Sequence, residues 1–155
     1  DLTYVWTMEG WLYLAVLLDL YSRRVVGWAM GPRLTGELVE QALTMALVNR
    51  IPRAGLVHHS DRGSQYAATS YQRRLTEYGL IPSMRRKGNC WDNACVESFF
   101  GTLKRELVHQ RPYVTRDEAK QDIFEYIEVF YNRQRQHSTL GYHAPVEFEA
   151  RAAVA

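Results

Sequence analysis

The sequence predicts an α/β fold: a mixed five-stranded sheet, three antiparallel strands and then two parallel ones, flanked by helices. Three observations carry this. Three apolar runs near the start, DLTYVW, WLYLAVLLD and VVGWAM, are joined by short polar turns, the pattern of antiparallel neighbours. Helical and strand patterns then alternate, and a right-handed crossover sets the fourth strand parallel to the first and beside it. Beyond residue 88 the remaining periodicity is helical.

Taken in order, Glu9 and Gly10 turn the first strand into the second. The second is almost continuously apolar, as suits a central strand buried on both faces. LYSRR leads into the third. Thr35 caps a helix over about 36–50, with Leu38, Ala42, Met45 and Ala46 facing inward, and Pro52 closes it. Residues 56–59 read as a short strand that ends at Ser60, Asp61, Arg62 and Gly63. A helix over about 64–78 stops at Gly79, and LIPSM is the fifth strand. Arg85, Arg86 and Lys87 lie in a polar loop before a helix within 88–110 that Asn89 or Asp92 caps. Thr115 and Glu118 form a capping box for a long helix over about 116–133, and Pro145 opens a short last one. The division expected is a core over about 1–110 and a C-terminal helical extension over about 111–155.

Composition narrows the function classes. Apolar residues make up 46% of the chain, which excludes a disordered polymer. A net charge of +2 permits nucleic acid as a partner without demanding it. Cys90 and Cys95 are too few for a disulfide framework and lack zinc-ligand spacing, which fits a reducing cytoplasm. No apolar run is long enough for a membrane-spanning helix. The sequence opens within a strand pattern and without Met, as a piece of a longer protein would.

The helix within 88–110 is the centre of the chemistry. Val96, Phe99, Phe100, Leu103 and Leu107 form its buried stripe. Glu97 and Lys104, seven positions apart, share another face, about 20° apart around the axis. Gly101 lies between them and costs the helix roughly 1 kcal/mol relative to alanine. It leaves a notch between a carboxylate and an ammonium where another chain can approach. In the predicted topology Asp1, on the first strand, neighbours Asp61, at the C-terminal end of the fourth, where ligands of open α/β sheets bind. Glu97, on a helix packed against the sheet, completes the cluster. Three carboxylates repel one another unless a cation joins them. Two Mg²⁺ ions so held clamp the attacking and leaving oxygens of an in-line phosphoryl displacement. Arg85, Arg86, Lys87, Lys104 and Arg105 offer phosphate contacts, and Trp91 a stacking surface.

Four blocks in order, DLTYV, HHSDRGSQY, KGNCWDNACVESFFGTLKREL and YIEVFYNRQRQHSTLGYHAP, closely resemble DDE transposases of the insertion-sequence-three family. Those are relatives of retroviral integrases with an RNase H-like catalytic core. The resemblance covers essentially the whole chain. The 35 residues between Asp61 and Glu97 match the spacing of that integrase group, and Lys104 matches the family's basic residue. The resemblance implies that Asp1, Asp61 and Glu97 hold two Mg²⁺ or Mn²⁺ ions. It implies that water cuts a phosphodiester at the element's end, and that the freed 3′-hydroxyl joins another DNA strand by transesterification without a covalent enzyme intermediate. It further implies DNA ends and target DNA as partners, a homo-oligomer on paired ends, a helix-turn-helix region absent from this sequence, and a bacterial, nucleoid-associated location.

Plainer roles compete for several of these residues. Asp19 ends a strand and caps the LYSRR turn or pairs with Arg23 or Arg24, although it is a possible alternative first acid. Of His58 and His59, alternation buries one and exposes the other. Gly63 serves a turn. Gln65 and Asn93 either contact DNA or the metal-bound water, or cap helices. Arg133, Arg135 and His137 either touch DNA or anchor the last helix. Two other functions remain open at this level: a DNA-binding or assembly module without activity as a fragment, and an RNase H-like nuclease that only hydrolyses.

Overall fold

The computed structural model describes residues 1–84 and 93–154. Three strands form an antiparallel meander: β1 (Leu2–Thr7), β2 (Gly10–Leu18) and β3 (Val25–Gly31). Their register runs from Leu2 opposite Ala15 to Thr7 opposite Gly10, and from Tyr13 opposite Gly31 to Leu18 opposite Val25. The crossover helix α1 (Gly36–Asn49) follows, its first turn closed by Thr35, whose hydroxyl accepts from the Leu38 amide. Next come β4 (Val57–Ser60), the short α2 (Ser64–Ala67), α3 (Thr69–Glu77) and β5 (Ile81–Met84). The single helix expected over 64–78 is broken at Ala68, whose ψ of 137° is not helical.

The three antiparallel strands and the parallel pair are those expected, but the hydrogen bonding divides them between two sheets, and β4 does not pair with β1. β4 pairs in parallel with β5, and the three-stranded sheet ends at β1. The reason is overlap. β1 runs beside Gly10–Ala15 of β2, whereas Val57, His58 and His59 of β4 line a cavity of about 710 Å³ with Val16, Leu17 and Leu18, the last three residues of β2. Only Asp1 reaches that end, exchanging backbone hydrogen bonds with Val16.

The sheet is packed on both faces, because β2 alternates two apolar sets. Leu12, Leu14 and Val16 point with Val5 and Val25 toward α4 (Ala94–Glu106) and α5 (Arg116–Glu125). There they meet Val96, Phe99, Phe100, Leu103, Ala119 and Ile123. Ala15 and Ala29 pack on the other side against Leu38, Val39, Ala42 and Leu43 of α1 and against Tyr66, Tyr71 and Leu75. Gly27 lets α1 lie directly on β3: a Cβ there would stand 2.8 Å from that of Ala46. Trp11, expected to be buried with the rest of β2, is 42% exposed and packs against Tyr4 and Trp6.

α5 opens with Thr115, whose hydroxyl accepts from the Glu118 amide, while the Glu118 carboxylate accepts from Val114. The helix widens to a π turn over Tyr126–Tyr131. Asn132 then caps the edge of β3, its side chain accepting from the Val25 amide and donating to the Val25 carbonyl. Last comes α6 (Pro145–Val154), where Glu149 meets Arg24 and Arg50 and accepts from Ser22. Asp19 binds its own turn and Arg50, rather than Arg23 or Arg24 side chains. Among the described residues no helix is long and apolar enough to cross a membrane.

Candidate active site

Asp1 stands immediately before β1 at the end of the sheet. Its carboxylate is held on both oxygens: Oδ1 accepts from the Leu2 amide at 2.8 Å, and Oδ2 from Asn93 Nδ2 at 3.0 Å. Asn93 occupies the N-cap position of α4 but makes no capping bond with its side chain. It is 8% exposed and points at Asp1 instead, so the start of α4 is tied to the start of β1. The expected caps Asn89 and Asp92 lie outside the described residues, and the described helix begins at Ala94. Glu97 follows one turn later, its amide bonded to the Asn93 carbonyl at 3.0 Å, with its side chain exposed.

Asp61 follows β4 directly. Its Oδ1 accepts from the Gly63 amide at 2.7 Å, and a Cβ at Gly63 would come within 2.8 Å of that same oxygen. At φ −58° this glycine serves clearance rather than a left-handed backbone: a side chain here would push the Asp61 carboxylate out of its present position. The charge of Asp61 is felt at two groups, the nitrogen of Asp1 and the Tyr66 hydroxyl. Burial pushes the α-ammonium of Asp1 down to about 5, and the charge of Asp61 opposes that shift. Burial, with Tyr71 and then Asp61, pushes the Tyr66 hydroxyl up.

His58 is the inward histidine of β4 and bonds the Tyr71 hydroxyl through Nε2 at 2.8 Å. Burial holds it down to about 4, a backbone hydrogen bond opposing and the Asp1 ammonium and His59 adding to the effect. It is thus neutral at pH 7 and adds no positive charge beside the two aspartates. Among the described residues no three His, Cys, Asp or Glu side chains already stand close enough to hold a metal ion.

The basic residues separate. Lys104 reaches round the β1 edge, its Nζ 5.4 Å from the centre of the Tyr4 ring. Arg105 is on a different face of α4 and enters a second pocket with Arg23, Arg135 and His137. Arg85, Arg86, Lys87 and Trp91 lie outside the described residues. An aromatic surface escaped the sequence reading: Tyr4, Trp6 and Trp11 are exposed and meet edge to face, with centroids 4.9 Å apart in both contacts with Trp11. The alternation of LTYVWT, with Val5 inward, carried the signal.

Comparison with known proteins gives this geometry a context. The chain is 56% identical over 151 residues to the insertion element IS600 uncharacterized 31 kDa protein of Shigella sonnei, covering 97% of this chain and 56% of that one. It is 49% identical over 149 residues to the transposase for insertion sequence element IS904 of Lactococcus lactis, covering 96% and 59%. It is also 49% identical to the transposase InsF for insertion sequence IS3A of Escherichia coli, covering 96% and 52%. The chain thus spans between half and three fifths of the length of these relatives.

Among solved structures, the HTLV-2 integrase catalytic core domain in complex with magnesium superposes with a TM-score of 0.71 at 17% identity, covering 96% of this chain and 91% of that one. The BIV integrase catalytic core domain gives 0.66 at 20% identity, covering 98% and 93%. At such identities the likeness is one of fold, that of the retroviral integrase core. Integrase core domain models match residues 1–90 and 97–152. The first of these alone spans more than half of the sequence, ends just before α4 and contains both aspartates; the chain belongs to the integrase core domain family.

Proposed function

We propose that this chain is the catalytic core of a DDE transposase, which cuts DNA at the ends of an element and joins the freed 3′-hydroxyl to another strand. The observation that carries it is the tie between the two ends of the cluster: Asp1, beside Asp61, is hydrogen-bonded to Asn93, one turn ahead of Glu97. The transposase names of relatives at 49% identity support it.

The donor set fits divalent cations. Three carboxylates supply hard oxygens from three separate elements, and each oxygen of Asp1 and Asp61 engaged by one N–H keeps a lone pair. Asp1, Asp61 and Glu97 would hold two Mg²⁺ or Mn²⁺ ions, which supply charge neutralisation and an activated oxygen nucleophile when bound. Around them the protein positions. Asn93 and the Leu2 amide fix the Asp1 carboxylate, the Gly63 amide fixes that of Asp61, and Gly101 leaves room for a sugar–phosphate backbone beside Glu97. Lys104 takes a phosphate near the acids. Arg85, Arg86 and Lys87 extend the contact, while Arg105, on another face of α4, meets DNA apart from it. Asn93 serves through Asp1 rather than as a separate DNA contact. The partners are element ends and target DNA, engaged by a homo-oligomer whose full-length subunits carry a separate region that reads the terminal repeats.

The test is a strand-transfer assay with Mn²⁺ and a pre-cut DNA end, comparing the parent with Asp61→Asn and Glu97→Gln. Joined product from the parent and none from the variants is expected, with DNA binding retained. Cleavage without joining assigns a hydrolytic nuclease instead. Binding without product from the enclosing full-length protein assigns an assembly module. Full activity in either variant refutes the three-acid site.

A further inference from the structure

α4 presents a third face, distinct from its core stripe and from the Glu97–Gly101–Lys104 face. Ser98, Thr102 and Arg105 lie on it, centred roughly 110° around the axis from Glu97. They line a pocket of about 590 Å³ together with Arg23, Arg135 and His137. The pocket gathers three arginines, of which one is salt-bridged among the described residues. Arg135 is committed to Glu106 at 2.8 Å. Among the described residues, Arg23 Nη1 donates to the Sγ of Cys95 and Arg105 to the Thr102 hydroxyl, at 3.5 Å. Among the described residues neither forms a salt bridge, and the one carboxylate within electrostatic reach of Arg105, that of Glu106, is already bonded to Arg135.

Two further details point the same way. Arg23 is held at φ +61°, a left-handed backbone that side chains other than glycine rarely adopt. Its amide bonds the Asp19 carbonyl at 2.8 Å, so the turn sends the side chain across to α4 against its own preference. Strain of this kind collects where a side chain must be aimed. His137 lines the same pocket, and its buried Nε2 has no hydrogen-bond partner among the described residues. Buried polar nitrogens are otherwise nearly always paired.

We propose that this pocket binds a phosphodiester of a DNA backbone, a second DNA contact separate from the Lys104 edge. The chemistry is specific to that class of ligand. Guanidinium forks match phosphate oxygens in pairs, the Ser98 and Thr102 hydroxyls donate to those that remain, and the His137 nitrogen offers one more bond. Two guanidiniums without a salt bridge of their own suit a polyanion whose charges recur along its length. The identity of the polymer rests on the function proposed above; the pocket does not depend on the three acids. Because the pocket and the Glu97 face lie on different sides of one helix, a strand seated in one leaves the other open.

The experiment is a titration of a labelled duplex DNA against the 155-residue chain, read by fluorescence anisotropy over a series of salt concentrations. Arg23→Gln and Arg105→Gln should each weaken binding roughly tenfold, as loss of a charge-assisted contact does. Each should also reduce the log–log salt slope by about 0.9. Arg33→Gln, outside the pocket, should do neither. If Arg23→Gln fails to fold, as judged by circular dichroism, Arg105→Gln carries the test, since Arg105 is exposed on the helix. Unchanged affinity and slope in Arg105→Gln overturns the proposal, as does a parent with no salt-dependent affinity for duplex DNA. A parallel titration with inorganic phosphate, followed through the His137 ring resonances, separates the sources. A response there without any effect of the arginine variants on DNA binding assigns a small-anion site and overturns the DNA occupant. Weakened binding in both variants together with absent strand transfer in the parent upholds this pocket and refutes the catalytic reading instead.

Discussion

Replacing Gly101 with alanine should pull stability and function in opposite directions. Gly101 is exposed in the interior of α4, between Glu97 and Lys104, and a Cβ built there meets nothing within 4 Å. The substitution therefore has no steric cost in the free protein. A glycine inside a helix is about 0.8–1.0 kcal/mol less favourable than alanine, so the gain in stability is of that order. For a chain of this length it corresponds to a rise in melting temperature of about 2–4 °C. The added methyl occupies the notch through which a sugar–phosphate backbone would approach Glu97. A displacement of about 1 Å at the reacting atoms can cost on the order of a hundredfold in rate. The assay pairs thermal melts of the parent and Gly101→Ala with strand transfer from a pre-cut DNA end under identical Mn²⁺. A higher melting temperature with depressed strand transfer is expected. A raised melting temperature with unchanged transfer would show that substrate does not use the notch, and a lowered one would refute the regular, unobstructed helix.

Three further predictions follow from separate contacts. Lys104→Ala should reduce the salt slope of DNA binding by about 0.9 while costing at most about 1 kcal/mol of stability for its contact with Tyr4; an unchanged slope makes Lys104 a surface residue only. Asn132→Ala should destabilise by about 2–4 kcal/mol in urea melts, because it strands both backbone groups of Val25 at a position 3% exposed; a loss below about 1 kcal/mol would refute that pairing. Burial alone would raise the Glu149 carboxyl, but bonds from Ser22, Arg50 and Arg24 hold it below its ordinary value of 4.5. With a depressed folded pKa, its contribution is full above the unfolded value and is lost as pH falls through the folded one. Glu149→Gln should therefore lower stability at pH 7 and flatten its decline below about pH 4.5, and parallel stability–pH curves for the two proteins would contradict the assignment.

Much of this could be read from residue order alone. The three strand patterns, the Thr35 and Thr115 caps and the core stripe Val96–Phe99–Phe100–Leu103 all depend on local periodicity and short-range hydrogen bonds, which the sequence displays directly. The break at Ala68 was not legible, because nothing in SQYAATSYQ forbids a continuous helix; in the folded chain Tyr66 and Tyr71, on either side of it, enter one cluster and meet edge to face, a contact between separate helices. Asn93 looked like a cap or a DNA contact because short amides serve in both roles. Its partner, Asp1, stands 92 positions away.

By itself the sequence determined the strand directions, the helical face that joins Glu97 to Lys104, and the family, since periodicity and extended motifs are one-dimensional properties. Tertiary structure decided the rest, because contacts between distant segments depend on how the elements dock. It paired β4 with β5 and ended the three-stranded sheet at β1, whose register on β2 stops at Ala15. It turned Asn93 onto Asp1, and it made Gly63 a matter of clearance from Asp61. It also parted Lys104 from Arg105, adjacent in the chain and about 100° apart on the helix, so that one edges the candidate active site and the other enters a separate basic pocket.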